Sequence, residues 1–364
     1  MKKLLTTLMI CLALLPIHAK AESVPDESDD SAIYEMQSQS GEIITTRAGR
    51  MYIGDEYISA DNQLYRVIAV DDQMCIAIAE HLGEEPAAGI SAFARAETQT
   101  QEGKSKRIAM YSTHSDESYE PTDGASSLEE DAGIYDVGHA LKDALEEHGI
   151  SVEYSEATHL PHDAGAYRRS RRTAEELLKS SPDVLIDIHR DGIPDPDSYE
   201  TEVHGEEISK VRLLVGRSNP NADANREFAK RLKAAADEKY PGLIKDIFIG
   251  KGNYNQELFP QSILLEFGTH TIDKDLAIAA TKPMADIINT VVFGGSAKAE
   301  STASIEESTS GFKGIGWLIA IAVIGSVLFA LISTGKWRLV AEKFSRSASE
   351  ITGGTIGKKP KDKS

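Results

Sequence analysis

Short apolar runs in the middle of the chain each end on a residue able to bind or serve a metal. Ile108-Ala109-Met110-Tyr111 leads into His114 and Glu117, Val184-Leu185-Ile186-Asp187-Ile188 into His189, and Ser262-Ile263-Leu264-Leu265 into Glu266. Between these runs the apolar positions recur at helical spacing. Ile134, Val137, Leu141 and Leu145 make one stripe, stopped by Gly149. Tyr167, Ala174, Leu177 and Leu178 make another before Pro182; Ala224, Phe228, Leu232 and Ala235 a third before Pro241-Gly242; and Leu276 to Val292 the last. Val152 with Tyr154, and Val211 to Val215, read as further strands. Strands alternating with such helices predict an α/β domain over residues 107–293, a mostly parallel sheet flanked by helices. The carboxyl ends of parallel strands share one edge, where ligands bind.

Residues 43–82 follow a different rhythm. Met51-Tyr52-Ile53, Glu56-Tyr57-Ile58, Leu64 to Val70 and Met74 to Ile78 are separated by Gly54-Asp55, Asp61-Asn62 and Asp71-Asp72, a run of short strands and turns. This predicts a small antiparallel N-terminal β module or an extension of the sheet. The acidic, serine-rich residues 22–42 are expected to be a spacer, and the Pro, Ala, Gly, Gln and Glu content of residues 83–106 a linker.

The two ends read as addressing segments. Residues 1–21 have a basic head, an apolar run from Leu4 to Ile17, and Ala19-Lys20-Ala21 before Glu22, the layout of a secretory signal peptide; an uncleaved anchor is the alternative. Residues 314–335 carry no charge, with Trp317 near one end and Trp337 just past the other, matching the ~20 residues of a transmembrane helix. A stalk, residues 294–313, precedes it and a basic tail, residues 336–364, follows. Positive residues stay inside, so the expectation is a single-pass cell-membrane protein with its catalytic domain outside the cytoplasm.

The formal net charge of −19 argues against nucleic acid as a partner. Of the two cysteines, Cys11 lies in the signal segment and Cys75 is left alone, which excludes a cysteine metal site.

Two imidazoles and two carboxylates at one rim are the inventory of a catalytic zinc site. In Val184 to Asp191 the side chains alternate, so Leu185, Asp187 and His189 share one face. Either Asp187 or Asp191 could fix the tautomer of a ligand imidazole. His114 and Glu117 stand three apart and could reach one ion, although helix capping would use the same spacing. Glu266, within an apolar run, should have a raised pKa suited to proton transfer, or else a salt bridge to Arg190. Arg190 could equally hold a substrate carboxylate or an oxyanion. Lesser candidates are His162-Asp163 and Arg168-Arg169-Ser170-Arg171-Arg172 for an anion, and Tyr254-Asn255-Gln256-Glu257 for a peptide.

At these residues the chain resembles the stage II sporulation protein P family of cell-wall amidases. The resemblance spans about residues 107–292. It is carried by Tyr111 to Tyr119, His162-Asp163, Ser170 to Thr173, Ile186 to Asp191, Leu214 to Arg217 with Asn219-Pro220-Asn221, Tyr240 to Leu243, Tyr254-Asn255-Gln256 and Leu265-Glu266. It implies a zinc amidase or carboxypeptidase-like fold and a zinc-dependent N-acetylmuramoyl-L-alanine amidase acting on peptidoglycan, with an added endopeptidase activity. By this resemblance His114, Glu117 and His189 would hold Zn2+ and Glu266 would be the catalytic carboxylate; Arg190 joins the catalytic candidates on its own chemistry. The partners implied are the stage II sporulation proteins D and M. Ser112 stands where a further histidine is usual, and Phe267-Gly268-Thr269-His270 departs from a more glycine-rich motif. A wall-peptide endopeptidase or carboxypeptidase, or a catalytically silent membrane-tethered scaffold, are the competing readings.

Overall fold

The computed structural model describes residues 32–85 and 106–294, except Ala164. The expected signal peptide, transmembrane helix and basic tail lie outside the described residues, as do most of the linker and the stalk.

Five strands open the described chain: β1 (Ile33–Ser38), β2 (Ile43–Ala48), β3 (Glu56–Ile58), β4 (Gln63–Asp71) and β5 (Ile76–Glu84). The domain that follows alternates as expected. β6 (Arg107–Tyr111) leads through a short helix α1 (Glu120–Asp123) into α2 (Gly133–Glu147), β7 (Ser151–Tyr154), α3 (Ala166–Leu177) and β8 (Val184–Asp191). A hairpin of β9 (Glu200–Val203) and β10 (Glu206–Ser209) intervenes before β11 (Val211–Gly216), α4 (Ala222–Lys239), β12 (Ile244–Gly250), β13 (Ser262–Thr269) and α5 (Lys274–Phe293).

The helical stripe of α2 is fully covered, with Ile134, Val137, Leu141 and Leu145 each 0 % exposed. The helix gives way to Gly149, whose φ of +73° suits glycine at such a stop. In α4 the face is shifted slightly: Ala224 is exposed and Asn225 is buried instead, donating to the carbonyls that lead into β13.

One eleven-stranded sheet runs through both parts, in the order β2-β1-β5-β4-β3-β12-β11-β13-β8-β6-β7. β6, β7, β8 and β13 are mutually parallel, so His114, His189 and Glu266 do reach one edge. β11 runs antiparallel to β13, and the first five strands add further antiparallel pairs. Within residues 107–293 the sheet is mostly parallel, as expected, with β11 against β13 the antiparallel exception; the N-terminal strands make the whole sheet mixed.

Alternation assigns the two faces. Val184, Ile186 and Ile188, with Ile263, Leu265 and Phe267, enter the main core with α2, α4 and α5. Leu185 packs under α3 with Ala109 and Ala174, and Leu264 meets Leu214 and Tyr254. Asp187, His189, Arg212 and Glu266 share this second face by register.

The N-terminal strands are the sheet extension, the second of the two expectations, rather than a separate module. Ile58 pairs with Ile247 across β3 and β12, and Phe248 is buried among Tyr34, Met36 and Tyr57. Arg217 pairs with Asp55 at 2.9 Å, and Lys233 donates to the Ala60 carbonyl at 2.8 Å. β1 also falls inside the segment expected to be spacer. Tyr34 and Met36 alternate into the core there, a period that the acidic residues upstream disguise. β5 likewise runs into the expected linker.

α5 is long and apolar enough to cross a membrane by length and composition. Its buried residues, Ala277, Ala280, Met284, Ile287 and Ile288 among them, belong to the main core. It is the lid of that core, and the membrane expectation rests on residues 314–335 instead.

Candidate metal centre

His114 and Glu117 sit on the loop after β6, held over the end of β8. The loop is anchored from beneath by Asp187, whose carboxylate accepts from the Thr113 amide at 2.8 Å and the Thr113 hydroxyl at 2.6 Å. Ser170 of α3 hydrogen-bonds the same hydroxyl at 2.8 Å. His189 projects from β8 on the Asp187 side, as the alternation requires.

Here Glu117 Oε1 lies 3.3 Å from His114 Nδ1 and 3.3 Å from His189 Nδ1. The imidazole rings of His114 and His189 have centroids 5.0 Å apart and cross at 81°. One ligand atom from each of His114, Glu117 and His189 lies within 4.8 Å of the others, and all three residues are buried. Good N–H···O hydrogen bonds are shorter, about 2.7–3.2 Å. A tetrahedral ion bonded at about 2.0–2.1 Å separates its ligand atoms by about 3.3–3.4 Å. The two 3.3 Å separations match those around such an ion and also lie at the long end of hydrogen bonding.

The electrostatics are consistent with that fit. Burial alone would raise Glu117, but His189 and Arg190 hold it well below the usual carboxylate range. Burial would lower His189, but Asp187 and Glu117 raise it well above the usual imidazole range. This buried imidazole is flanked by two carboxylates, a strongly cation-favouring arrangement. His189 Nε2 lies 3.0 Å from Asp187 Oδ1, though without hydrogen-bond geometry. Of the two aspartates considered for fixing the His189 ring, Asp187 is the one in place.

Glu266 is the register partner of His189 across β13 and β8. Its Oε2 accepts from the Tyr199 hydroxyl at 3.1 Å and lies 3.7 Å from Arg212 Nη1. Burial and the neighbouring Asp191 carboxylate push Glu266 up to about 8, with Arg212 pulling the other way. The salt-bridge partner is therefore Arg212, not Arg190. Arg212 is 0 % exposed and also pairs with Asp246 at 2.7 Å and Asp191 at 2.8 Å. Sequence reasoning missed it, because one arginine in an apolar strand looks like a solvent-facing residue.

Arg190 lines the same pocket as Glu266, with its Nη1 4.0 Å from Glu117 Oε1. Its side chain donates to the carbonyls of Ser118 at 3.2 Å, Asp191 at 3.3 Å and Ser126 at 2.8 Å, and its backbone amide donates to Glu117 Oε2 at 2.9 Å. Through these bonds Arg190 holds Glu117 and its loop at the edge of the pocket.

Among the lesser candidates, His162 stacks on His114 with centroids 4.0 Å apart and pairs with Asp116 at 3.0 Å. Arg169 and Arg171 on α3 pair with Asp163 and Glu175 rather than forming an open anion site. The amides of Asn255 and Gln256 are satisfied within the fold, Asn255 by Tyr167 and Ser170 and Gln256 by Leu214 and Gly216. They are not offered to a peptide. The Ser112 hydroxyl is buried and lies outside the metal-ligand cluster.

The family model described as "Stage II sporulation protein P (SpoIIP)" matches residues 21–289, most of the chain. The chain belongs to the stage II sporulation protein P family. Stage II sporulation protein P of Bacillus subtilis (strain 168) is 31 % identical over 185 residues, 46 % of this chain and 46 % of that protein. The match thus spans less than half the length of this stage II sporulation protein P relative. Among solved structures, an N-acetylmuramoyl-L-alanine amidase from Clostridium difficile 630 is 15 % identical with a TM-score of 0.35. That alignment covers 52 % of this chain and 96 % of the other. The apo amidase Ami1 of Mycobacterium abscessus is 14 % identical with a TM-score of 0.32, covering 51 % and 95 %.

Proposed function

We propose that this member of the stage II sporulation protein P family is a zinc-dependent peptidoglycan hydrolase. Its reaction would cleave the amide between N-acetylmuramic acid and the L-alanine of the stem peptide, in wall remodelling during sporulation. The observation that carries the reading is the triangle of His114, Glu117 and His189 with Glu266 alongside. A bound Zn2+ held by the three ligands would supply a Lewis acid for the amide carbonyl and a water of lowered pKa.

The remaining chemistry falls to the chain's own groups. Glu266 Oε1 takes the proton of the attacking water and returns it to the leaving amine nitrogen. A carboxyl near neutrality can do both. Tyr199 and Arg212 fix Oε2, which leaves Oε1 as the working atom. Asp187 orients His189 and anchors the His114 loop, while Arg190 holds Glu117. Tyr167 stacks along His189 with ring centroids 6.2 Å apart and lines the pocket, shielding the site from bulk water.

Membrane anchoring by residues 314–335, an extracytoplasmic domain, and work alongside stage II sporulation proteins D and M belong to the same proposal. The test is digestion of purified peptidoglycan by the full chain with zinc, read by mass analysis. The amidase reading expects whole stem peptides and bare glycan strands. Products cut within the peptides would point to an endopeptidase or carboxypeptidase, and an undigested wall to a scaffold.

A further inference from the structure

β2 crosses from the N-terminal strands to the site and places Arg47 and Ala48 in the lining of the same pocket as His114, Glu117, His189 and Glu266. Arg47 is 8 % exposed. Its Nη1 donates to the Arg50 carbonyl at 3.2 Å and its Nη2 to the Tyr254 hydroxyl at 3.3 Å, while the guanidinium lies 4.8 Å over the Phe248 ring. Its Nε is buried with no hydrogen-bond partner.

A guanidinium stays protonated in proteins, so a buried one is costly unless a counter-charge meets it. The other buried charges here are answered. Glu117 has His189 and Arg190, Asp191 and Glu266 have Arg212, and Arg212 also has Asp246. Arg47 makes no ion pair with any described residue. It nevertheless stands close enough for its charge to be felt at Glu266. An unpaired buried guanidinium whose Nε has no partner is a half-built carboxylate site, since Nε and Nη together match two carboxylate oxygens.

We propose that Arg47 binds a carboxylate of the substrate, so that the N-terminal strands supply the pocket's specificity for an anionic peptide. Resting on the wall-amidase reading above, this assigns the group as the α-carboxylate of the glutamyl residue next to L-alanine, which is free in some walls and amidated in others. The sequence offered no hint of it, because Arg47 lies 207 positions from its partner Tyr254.

The experiment uses two muramyl tripeptides that differ in that α-carboxyl alone, free in one and amidated in the other. Binding to the zinc-loaded full chain is measured by calorimetry in a Glu266→Gln background, which separates recognition from turnover. The acid should bind about tenfold or more tighter than the amide. Adding Arg47→Gln should erase the difference while binding of the amide and zinc content hold. If Arg47→Gln does not fold, Arg47→Lys decides: it keeps the charge without the fork, and the preference should fall severalfold. Equal binding of acid and amide, absent binding of both, or a preference that survives these substitutions overturns the proposal. Should the wild-type chain leave the muramoyl–alanine bond intact while the Arg47-dependent preference stands, it is the amidase reading that fails.

Discussion

Glu266 and His189 are register partners on adjacent parallel strands, although 77 positions separate them in the chain. That pairing puts a proposed proton carrier next to a proposed metal ligand without any loop having to deliver it. A constellation built on central strands is held by the sheet itself, and its side chains need no closing motion to meet.

The first expectation follows from this separation of roles. Glu266 is not one of the three clustered ligands. Glu266→Gln should therefore keep zinc at the wild-type stoichiometry and lose about 10²–10⁴-fold in amide hydrolysis. Hydrolysis of a muramyl peptide, followed by chromatography, checks the rate, and metal analysis of the same sample checks the ion. Wild-type turnover in this variant would remove Glu266 from the mechanism.

Asp187 tests the support beneath the ligands. It touches both the His189 ring and the Thr113 amide that leads into His114. Asp187→Asn should weaken zinc binding about 10–100-fold, the usual consequence of losing a carboxylate behind a ligand imidazole. A competitive chelator titration reads the affinity, and an unchanged value would mean the loop and ring hold their places unaided.

Arg212 is the buried hub behind Glu266. Arg212→Met leaves Asp191 without its cation and Asp246 with Lys245 alone, and removing one member of a buried pair typically costs about 3–5 kcal/mol. At about 2–4 °C per kcal/mol for a domain near this size, melting should fall by roughly 6–20 °C. The pH dependence has a definite sign. Burial would raise Asp246, but Arg212 and Lys245 hold it below the ordinary aspartate value. Its contribution is complete above the unfolded aspartate pKa of about 3.9 and is lost as pH falls through the depressed folded value. The melting difference between wild type and Asp246→Asn should thus be constant from neutrality down to about pH 4 and shrink below it. A difference that vanished already at pH 6 would contradict the pairing.

Removal of the N-terminal strands gives another check. A chain starting at Arg107 would strip β3 from β12, expose Phe248, and break the Asp55–Arg217 pair. It should aggregate or lose cooperative melting, as an exposed apolar strand edge does. A monomeric, sharply melting segment 107–293 would show that these strands are dispensable for the fold.

Much of this arrangement is legible in the amino-acid pattern, for physical reasons. Strand alternation placed Asp187 on the His189 face, and apolar runs marked the strands whose shared edge holds the cluster. Helical stripes located α2, α3, α4 and α5 because one face of each must be buried. What stayed hidden depends on contacts between distant segments. Arg212 looks like a surface residue until Asp246, Asp191 and Thr46 are seen around it. Arg47 belongs to a strand whose neighbours in the pocket come from the far end of the chain. Nor does any local pattern announce that β13 turns antiparallel to β11, because pairing direction is a property of the sheet rather than of either strand.

The most direct measurement is zinc content joined to X-ray absorption at the metal edge, on the full chain and on His189→Ala. The account predicts one zinc per chain with nitrogen and oxygen neighbours at about 2.0–2.1 Å, and loss of the metal from the variant. A chain that binds no zinc, or a variant that keeps its full complement, would contradict the shared site of His114, Glu117 and His189.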